Sequence, residues 1–503
     1  MKLLFLNPAR SGQGTVPLNI PLLIAAIKKH NHTVVLFNFS DYDIFDVTTR
    51  QYESMFFKEA PINDKKTISD REQFYKQRNE EFVGYELKKT DYILDFENVI
   101  LKFQPDIIAV TSLSVDYEFA CKFLKPFKEK YHIPIIFGGI HTILLPEDVT
   151  SNGISDYICT GEGENCIPML LDYLENNKDC SEINGIWYKK GDIIIRNPPI
   201  NLTNLDTIAP PDFSDFDPIH FYRPFDGKRY KMLNYEFSRG CPFNCSYCVN
   251  GVLKEKYRNL GTYHRFKPIE KSIRELKDLI EKYKFDFIRF WDEDFTSINI
   301  KTLNEFAKKY IAEINLPFLI YARVTTVTEE KILVLEEMGC KTFAMGIESG
   351  NENIRLKILN RKMSNQEIIE KFKMVKAHGI RVSSYNMIGL PFDTRETIFD
   401  TIELNRQADP DSFSVTMLEP YRGTPIRKMC EDQGLDPNQE ITWNKPQFIP
   451  KGMTYDELKG LHRTFPLYVR FPKDRWEEIR RAERDDSTYH ALLMEFNNHI
   501  KTN

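Results

Sequence analysis

The sequence lacks the features that mark several large classes of protein. No apolar run approaches the roughly 18–20 residues that a membrane-spanning helix needs, and the apolar start of the chain stops at Asn7-Pro8, so a secretory signal is not expected. Neither charge dominates: 68 Lys and Arg stand against 73 Asp and Glu, which indicates neither a nucleic-acid groove nor an anionic membrane surface. With 23 Gly and 27 Pro, the chain is not of low complexity. We therefore expect a folded cytoplasmic protein, and 503 residues suffice for two or three domains.

The nine cysteines do not suggest a secreted disulfide framework, because their number is odd and the chain is long. Six are scattered along the chain and are expected to be small buried residues: Cys121, Cys159, Cys166, Cys180, Cys340 and Cys430. The other three, Cys241, Cys245 and Cys248, fall close together and need a separate explanation.

Strand and helix patterns alternate through residues 1–180. The segment Ile107–Val110 is apolar at successive positions, as in strands that are buried on both faces of a parallel sheet. The alternation predicts a doubly wound parallel sheet over 1–180, interrupted by a charged, Tyr- and Phe-rich insertion at 41–95. Residues 181–231 are predicted to form a linker, with a small hairpin over Gly185–Ile195 and a Pro-rich stretch over Asn197–Pro218.

Six further strand–helix units follow over residues 232–430. Their strands are predicted at Met232–Phe237, Phe287–Trp291, Phe318–Ala322, Lys341–Gly346, Val382–Ile388 and Phe413–Leu418. Six such units predict a partial (β/α)6 barrel, whose site should lie at the carboxyl ends of the strands. Residues 431–503 are charged and predict a small helical C-terminal segment.

The spacing of the clustered cysteines indicates an iron–sulfur cluster. Three thiolates at C-x3-C-x2-C can bind three irons of a cubane cluster, whose fourth iron then has no protein ligand. Structural zinc is the alternative, but it usually needs four ligands in paired short spacings, and no second C-x2-C is present. His264, 16 residues beyond Cys248, is a weak candidate for a fourth ligand.

The segment Ser238–Cys248 resembles the signature loop of radical S-adenosylmethionine (SAM) enzymes. The resemblance implies that Cys241, Cys245 and Cys248 bind a [4Fe–4S] cluster and that SAM chelates its open iron through amino and carboxylate groups. It also implies that one electron cleaves SAM to methionine and a 5′-deoxyadenosyl radical.

Two acidic segments extend the resemblance. Phe290–Phe295 matches the acidic end of the second barrel strand, which implies that Asp292 and Glu293 lie near the SAM amino group. Gly346–Gly350 matches a fourth-strand motif in which the glutamate, here Glu348, reaches SAM. Taken alone, the first segment also fits a solvated turn and the second a tight entry into a helix. The pattern downstream of the fourth strand recurs as Ile354, Leu359 and Arg361.

The resemblance also assigns an adenine site. Tyr247, just before the third clustered cysteine, matches a position that packs near adenine. Asn386–Pro391 matches the fifth strand, whose backbone receives adenine, here around Met387 and Gly389. Tyr421–Pro425 matches the end of the sixth strand.

Residues 1–180 resemble the cobalamin-binding domain that precedes the barrel in one radical SAM subclass. The resemblance implies corrin contacts from residues at strand ends: Thr111, Ser112, Gly138, Gly139, His141, Gly161 and Gly163. Glycines there would let the backbone approach a flat macrocycle, although each also fits an ordinary turn. His141 fits a corrin contact and a strand-end cap equally well. The chain has no Asp-x-His-x-x-Gly motif, so the histidine that ligates cobalt in other cobalamin proteins has no counterpart.

The resemblance as a whole implies a radical SAM enzyme that uses cobalamin to methylate an unactivated carbon. Cobalamin-assisted oxidation or cyclisation without methyl transfer is the alternative, because Glu236–Cys241 is similar to anaerobic magnesium-protoporphyrin monomethyl ester cyclases. A non-catalytic iron–sulfur or zinc module is the alternative from another class. Methylthiotransferases are disfavoured, since their second cluster needs N-terminal cysteines and none precedes Cys121. The substrate, a small molecule or a peptide, is not indicated, and the implied partner is a low-potential electron donor of flavodoxin or ferredoxin type.

Overall fold

The computed structural model describes residues 1–9, 16–42, 88–225, 228–439 and 446–502, so most of the predicted insertion at 41–95 lies outside the described residues. The described residues divide into two units. The first unit holds residues 1–42, 88–222 and 252–268; the second holds the remainder.

The strands are, in chain order, β1 (Lys2–Asn7), β2 (Thr33–Asn38), β3 (Ile107–Thr111), β4 (Ile135–Gly138), β5 (Tyr157–Cys159), β6 (Ile186–Lys190), β7 (Ile193–Arg196), β8 (Tyr222–Phe225), β9 (Lys228–Tyr235), β10 (Ser238–Arg239), β11 (Arg265–Phe266), β12 (Phe287–Phe290), β13 (Phe318–Ala322), β14 (Cys340–Glu348), β15 (Arg381–Ile388) and β16 (Ser412–Met417).

The α-helices are α1 (Asn19–Lys29), α2 (Tyr92–Phe103), α3 (Ser114–Tyr131), α4 (Ile140–Leu144), α5 (Pro146–Thr150), α6 (Gly163–Glu175), α7 (Val249–Lys256), α8 (Ile269–Tyr283), α9 (Ile300–Glu313), α10 (Glu329–Glu337), α11 (Asn365–Ala377), α12 (Arg395–Ala408), α13 (Pro425–Asp432), α14 (Tyr455–Arg470), α15 (Trp476–Ala482) and α16 (Asp486–Thr502). Within the described ranges, no helix is both long and apolar enough to cross a membrane.

The first unit is built on a seven-stranded sheet in the order β2-β1-β3-β4-β5-β6-β7. Strands β1 to β5 are parallel, and β1 is buried at successive positions from Leu3 to Leu6 because helices cover both faces. Phe96 of α2 and Phe123 of α3 belong to one core cluster, whereas α1 packs against α6. This arrangement confirms the predicted doubly wound parallel sheet.

The hairpin that the sequence placed in the linker belongs to this first sheet. Strand β6 pairs antiparallel with β5, so that Tyr188 lies opposite Tyr157, and β7 pairs with β6 at the edge. The linker boundaries at 181–231 stay a prediction, but residues 186–196 extend the sheet.

The second unit contains the other seven-stranded sheet, in the order β16-β15-β14-β13-β12-β9-β8. Strands β9 and β12 to β16 are parallel to their neighbours. Because β9 and β16 do not pair, the barrel is open, which confirms the predicted partial (β/α)6 barrel. Burial alternates along β15, and Asn386 on its helix-covered side bonds to Asn405 of α12.

The C-terminal segment is helical, as predicted, and packs onto the far end of this sheet. Helix α14 contacts α12 and β16. Leu458 and Phe465 of α14 join Ile388 and Val415 in one buried cluster. The segment is therefore part of the core of the second unit.

Candidate functional site

The loop that carries the three cysteines follows β9 and is fixed by hydrogen bonds to distant parts of the second unit. The Ser246 backbone nitrogen donates to the Leu359 carbonyl oxygen at 3.1 Å, and its hydroxyl donates to the Ile358 carbonyl oxygen at 2.5 Å. Ile358 ends the π-helical turn Ile354–Ile358, a form that is frequent at functional sites. The Ser246 carbonyl oxygen accepts from the Ile426 nitrogen at 3.1 Å. Segments that follow β14 and β16 thus hold the loop in place.

Two guanidinium groups approach the sulfur of Cys245. Arg323, just after β13, places Nη1 3.3 Å from Cys245 Sγ, and Arg361 places Nη1 3.8 Å from it. Both arginine side chains are buried, and the Arg323 guanidinium also stacks on the Phe243 ring at 4.1 Å. Buried positive charge beside a sulfur stabilises its thiolate form, which is the form that binds metal.

The three thiols are not gathered around the position of a single ion. Around tetrahedral zinc, with bonds of about 2.3 Å, thiolate sulfurs lie about 3.8 Å apart. Among the described residues, the only group that brings three possible metal ligands within 4.8 Å of one another is His32, Asp172 and Glu175. The sulfurs of Cys241, Cys245 and Cys248 therefore do not all lie within that distance of one another.

Burial opposes ionisation of two of the three thiols. It raises the pKa of Cys241 to about 12 and that of Cys248 to about 11. Binding of a metal by these two cysteines would therefore be coupled to loss of their protons.

Asp292 is held within the protein rather than directed at a ligand. Its carboxylate accepts hydrogen bonds from the backbone nitrogens of Phe237 and Ser238 at 3.2 and 2.5 Å, and from the Ser238 hydroxyl at 2.5 Å. Burial raises the pKa of Asp292 to about 7, against these hydrogen bonds. The side chain therefore ties the start of the cysteine loop to the end of β12.

Glu293, the next residue, remains accessible at the carboxyl end of β12. Its side chain is exposed, yet desolvation by the surrounding protein raises its pKa, while a hydrogen bond from Asn250 opposes the rise. Exposure combined with desolvation is typical of a carboxylate that lines a concave site. Of the two acidic residues that the sequence could not distinguish, Glu293 is the one available to a ligand.

Glu348 belongs to a buried network with Tyr247 and Arg361. The Tyr247 hydroxyl donates to Glu348 Oε1 at 3.0 Å and accepts from Arg361 Nη1 at 3.0 Å, and Arg361 lies 3.8 Å from Glu348. Burial raises the pKa of Glu348, and Arg361 counteracts it. The predicted SAM residues Tyr247 and Glu348 thus lie in direct contact.

A bulge in β14 gives Glu348 its position. The register against β15 shifts between Gly346 and Glu348, and Glu348 has φ +66°, a left-handed conformation that costs a non-glycine residue energy. A Cβ atom on Gly346 would lie 2.1 Å from Glu348 Oε1. A side chain at this position would therefore displace the Glu348 carboxylate from where it folds back over its own strand.

The predicted adenine residues lie at the end of β15. Met387 and Tyr247 are both partly buried and pack against the core cluster that contains Leu390. Gly389 has φ +76°, and the turn after it is fixed by Asp393, whose carboxylate accepts from the Leu390 nitrogen at 2.9 Å. One core cluster thus supports both Met387 and Tyr247.

In the first unit, the carboxyl end of β3 carries a polar group without a partner. The Ser112 hydroxyl oxygen is buried and makes no hydrogen bond to any described residue. The preceding hydroxyl, on Thr111, accepts from Asn19 Nδ2 at 2.9 Å. Buried polar atoms are normally satisfied, so Ser112 fits a ligand that supplies a polar group.

His141 is enclosed by its own unit. Its ring stacks on Tyr117 with centroids 3.9 Å apart, and Nδ1 lies 3.0 Å from the Ser114 hydroxyl. Its backbone nitrogen donates to the Ser112 carbonyl oxygen. These contacts favour the strand-end role over a corrin contact.

The predicted corrin glycines are needed mainly for contacts within the protein. An added Cβ atom would lie 2.7 Å from Thr111 Oγ1 at Gly139, 2.7 Å from Ile200 Cγ2 at Gly161, 2.9 Å from Leu23 Cδ2 at Gly163 and 3.6 Å from Cys159 Cβ at Gly138. Three of the four sites thus exclude a side chain without any ligand, and their corrin contacts stay predictions.

The loop between Gly161 and Gly163 is fixed by a residue far along the chain. Arg265 Nη2 donates to both carboxylate oxygens of Glu162 at 2.6 Å, and the Thr203 nitrogen donates to Glu162 Oε2 at 2.7 Å. Arg265 belongs to residues 252–268, which count with the first unit.

Sequence reasoning missed Arg323 and Ser246 as site residues. Arg323 directly follows the predicted strand Phe318–Ala322, and a cation at the carboxyl end of a barrel strand is a signal that could have identified it. The role of Ser246 depends on a tertiary hydrogen bond and gives no local signal.

Comparison with known proteins identifies the second unit. Residues 235–404 match the family model of the Radical SAM superfamily. An uncharacterised methyltransferase of Pyrococcus horikoshii is 30% identical over 338 residues, 66% of this chain and 71% of the relative. Anaerobic magnesium-protoporphyrin IX monomethyl ester cyclase of Rubrivivax gelatinosus is 27% identical over 74% of this chain and 66% of its own length.

Solved structures share the fold of the whole chain. The radical SAM methyltransferase TsrM from Kitasatospora setae, with cobalamin and a [4Fe–4S] cluster bound, aligns with a TM-score of 0.60 and 16% identity over 90% of this chain and 83% of its own. The cobalamin-dependent SAM radical enzyme OxsB aligns with a TM-score of 0.65 and 15% identity over 98% of this chain and 72% of its own. The family match and the 30% identical relative agree with the cysteine loop and the open parallel barrel. The chain therefore belongs to the radical SAM superfamily.

Proposed function

We propose that this radical SAM enzyme is a cobalamin-dependent methyltransferase that acts on an unactivated carbon. The observation that carries the proposal is the meeting of the cysteine loop, Glu293 and the Glu348 network at the carboxyl ends of parallel strands β9, β12 and β14. A separate doubly wound unit in the same chain supplies the place for the second cofactor.

In this proposal, Cys241, Cys245 and Cys248 hold the [4Fe–4S] cluster. Glu293 receives the positively charged amino group of SAM, because its carboxylate is accessible and Asp292 is not. Tyr247 and Met387 pack near the adenine. With the cluster and SAM bound, this site would supply radical chemistry: one electron from a low-potential donor would cleave the bond from sulfur to the 5′ carbon of SAM, giving methionine and the 5′-deoxyadenosyl group that would take hydrogen from the substrate.

Cobalamin, when bound, supplies the methyl group. The first unit is proposed to bind it through residues at the carboxyl edge of its sheet, and the unsatisfied Ser112 hydroxyl is the chain's own support for a ligand there. The relatives add support: TsrM is described with cobalamin bound, and other relatives include a hopanoid C-3 methylase and a bacteriochlorophyllide methyltransferase.

Radical oxidation or ring closure without methyl transfer is the second candidate. It is supported by the cyclases among the relatives, one of them 27% identical over 390 residues. Both candidates use the same cluster and SAM residues, so they differ only in where the SAM methyl group goes.

The proposal is tested on anaerobically reconstituted protein supplied with SAM, dithionite and hydroxocobalamin. We expect 5′-deoxyadenosine from the wild type and none from Cys245→Ala, with corrin retained through gel filtration. SAM labelled in its methyl group should pass the label to the protein-bound corrin. Cys430→Ala, a buried cysteine outside the loop, is the matched control and should keep the activity.

Other outcomes would separate the parts of the proposal. SAM cleavage without retained corrin would contradict the cobalamin assignment. Retained corrin that takes up no label would favour the oxidative candidate. Zinc in place of iron, with no cleavage, would overturn the enzyme assignment for this site. A flavodoxin- or ferredoxin-type donor and a cytoplasmic location stay predictions.

A further inference from the structure

The inner face of the open barrel can be identified from a side-chain contact of β12. Ile288 and Phe290 are fully buried, and Phe290 packs edge-to-face against Phe306 of α9, so these side chains face the helices. Side chains alternate along a strand, so Arg289 and Trp291 face the opposite, inner side.

Strand register extends this assignment to the rest of the wall. Tyr321 of β13 pairs with Ala344 of β14, which pairs with Ser383 of β15 and through it with Ser412 of β16. One step nearer the carboxyl ends, Tyr385 pairs with Gly346 and Ser414. The inner wall is thus large and aromatic on β12 and β13, and small on β14 and β16: Ala344, Gly346, Ser412 and Ser414.

The Arg289 guanidinium contacts both aromatic residues on the β12 and β13 side of this wall. The Arg289 guanidinium carbon lies 4.0 Å from the Trp291 ring centroid and 5.3 Å from that of Tyr321, and Arg289 donates a hydrogen bond to the Tyr321 hydroxyl. Trp291 and Tyr321 meet edge-to-face at 5.6 Å, and Tyr385 lies 6.2 Å beyond Tyr321. Even so, Trp291 is 40% exposed.

We infer that the substrate of this enzyme is a planar, unsaturated ring system that stacks on Trp291 at the inner face of the barrel. This inference rests on the proposed function, which makes the inner face the substrate side. The contacts with Arg289 and Tyr321 immobilise the indole, so stacking costs little conformational entropy. Aromatic stacking adds an attraction beyond area burial, which a saturated ring cannot gain.

The polar groups of the same wall bond to one another. Arg289 donates to the Tyr321 hydroxyl, and the Ser383 and Ser412 hydroxyls share a hydrogen bond. The exposed indole of Trp291 is therefore the part of this wall that we expect a ring to cover.

The test compares two ligands of one carbon skeleton and one charge. Equilibrium dialysis of the anaerobically reconstituted protein would measure the Kd of 2-naphthoate, which is planar, and of decahydro-2-naphthoate, which is saturated. We expect 2-naphthoate to bind at least tenfold more tightly. Trp291→Leu should abolish this preference, and Trp291→Phe should retain part of it. Because Trp291 is partly exposed, both variants are expected to fold.

Tyr222→Leu is the matched control, since Tyr222 is an aromatic residue of similar exposure (38%) away from the inner wall. It should leave the preference unchanged. Equal binding of the two ligands, tighter binding of the saturated one, no saturable binding of either, or an unchanged preference in Trp291→Leu would each overturn the inference. Substrate-free formation of 5′-deoxyadenosine, measured on the same samples, tests the proposed function separately.

Discussion

At the scale of single residues, the site is notable for the positive charge beside one sulfur. Arg323 and Arg361 both reach Cys245, while the structure gives the other two thiols no arginine donor among the described residues. A reduced cluster carries one more negative charge than an oxidised one, so nearby guanidinium groups favour reduction.

We therefore predict that Arg323→Gln makes the cluster harder to reduce. Loss of a charge 3.3 Å from Cys245 should lower the reduced fraction about tenfold at a fixed donor potential, or about 59 mV for one electron. A redox titration followed by electron paramagnetic resonance measures this. Arg381→Gln, at the opposite end of its barrel strand, is the control. An unchanged or raised potential in Arg323→Gln would contradict the electrostatic explanation.

The neighbouring carboxylates Asp292 and Glu293 should respond differently to amide substitution. Glu293→Gln should fold like the wild type and weaken SAM binding roughly tenfold, because it removes a charge-assisted contact without leaving any buried donor unsatisfied. Equilibrium dialysis with SAM and thermal unfolding measure the two effects. Normal SAM affinity in Glu293→Gln would show that another residue receives the amino group.

Asp292 should make stability depend on pH. Its pKa lies at about 7 in the folded protein against an ordinary 3.8, so its contribution is present below about pH 4 and is lost as pH rises toward 7. The difference corresponds to about 4 kcal/mol at most. Denaturation of wild type and Asp292→Asn across this range should show a gap that changes up to about pH 7 and is constant above it. A gap independent of pH would contradict the raised pKa.

The sequence predicted those site residues that are marked by a pattern of neighbouring residues. Cysteine spacing is local, and so are the acidic and glycine-containing segments at strand ends. The choice between Asp292 and Glu293 depends on which carboxylate turns toward Ser238, and that contact joins residues more than fifty positions apart.

At the scale of elements, the bulge in β14 links backbone strain to the site. Gly346→Ala should displace Glu348, because the added Cβ would lie 2.1 Å from Glu348 Oε1 and 3.2 Å from Arg361 Nη2. We expect SAM binding at least tenfold weaker with the fold retained, as measured by dialysis and circular dichroism. Gly251→Ala, whose Cβ would meet Asn244 at an ordinary 3.7 Å, should leave SAM binding unchanged. Equal effects of both substitutions would contradict the steric argument.

The strands and helices themselves were predicted well where burial makes their pattern clear. Predicted strand Phe318–Ala322 matches β13 residue for residue, and Val382–Ile388 lacks one residue of β15. Strand β8 was missed because it lies within the predicted linker 181–231. The hairpin β6–β7 was predicted without its place in the sheet. Pairing partners are set by tertiary contacts, which no local pattern carries.

At the scale of the whole molecule, the C-terminal helices are part of the barrel's stability. Phe465 is fully buried among Ile388, Val415 and Tyr468. Phe465→Ala should therefore lower the free energy of unfolding by about 3–5 kcal/mol. Chemical denaturation of the variant measures this. Phe392→Ala, at a residue 58% exposed, should change it by no more than about 0.5 kcal/mol. Similar losses in the two variants would contradict a core role for the segment.

The two units are not consecutive stretches of chain. Residues 252–268 lie in the chain between two stretches of the second unit but belong to the first unit. Their Arg265 binds Glu162, also in the first unit. A gene cut once, after residue 222, would give an N-terminal fragment in which the Glu162 carboxylate loses its bonds to Arg265. Recombinant halves of this protein would therefore misreport the cobalamin affinity of the intact chain. An N-terminal fragment that preserves the bond between Arg265 and Glu162 has to include the 252–268 peptide, either joined by a designed linker or added as a separate peptide.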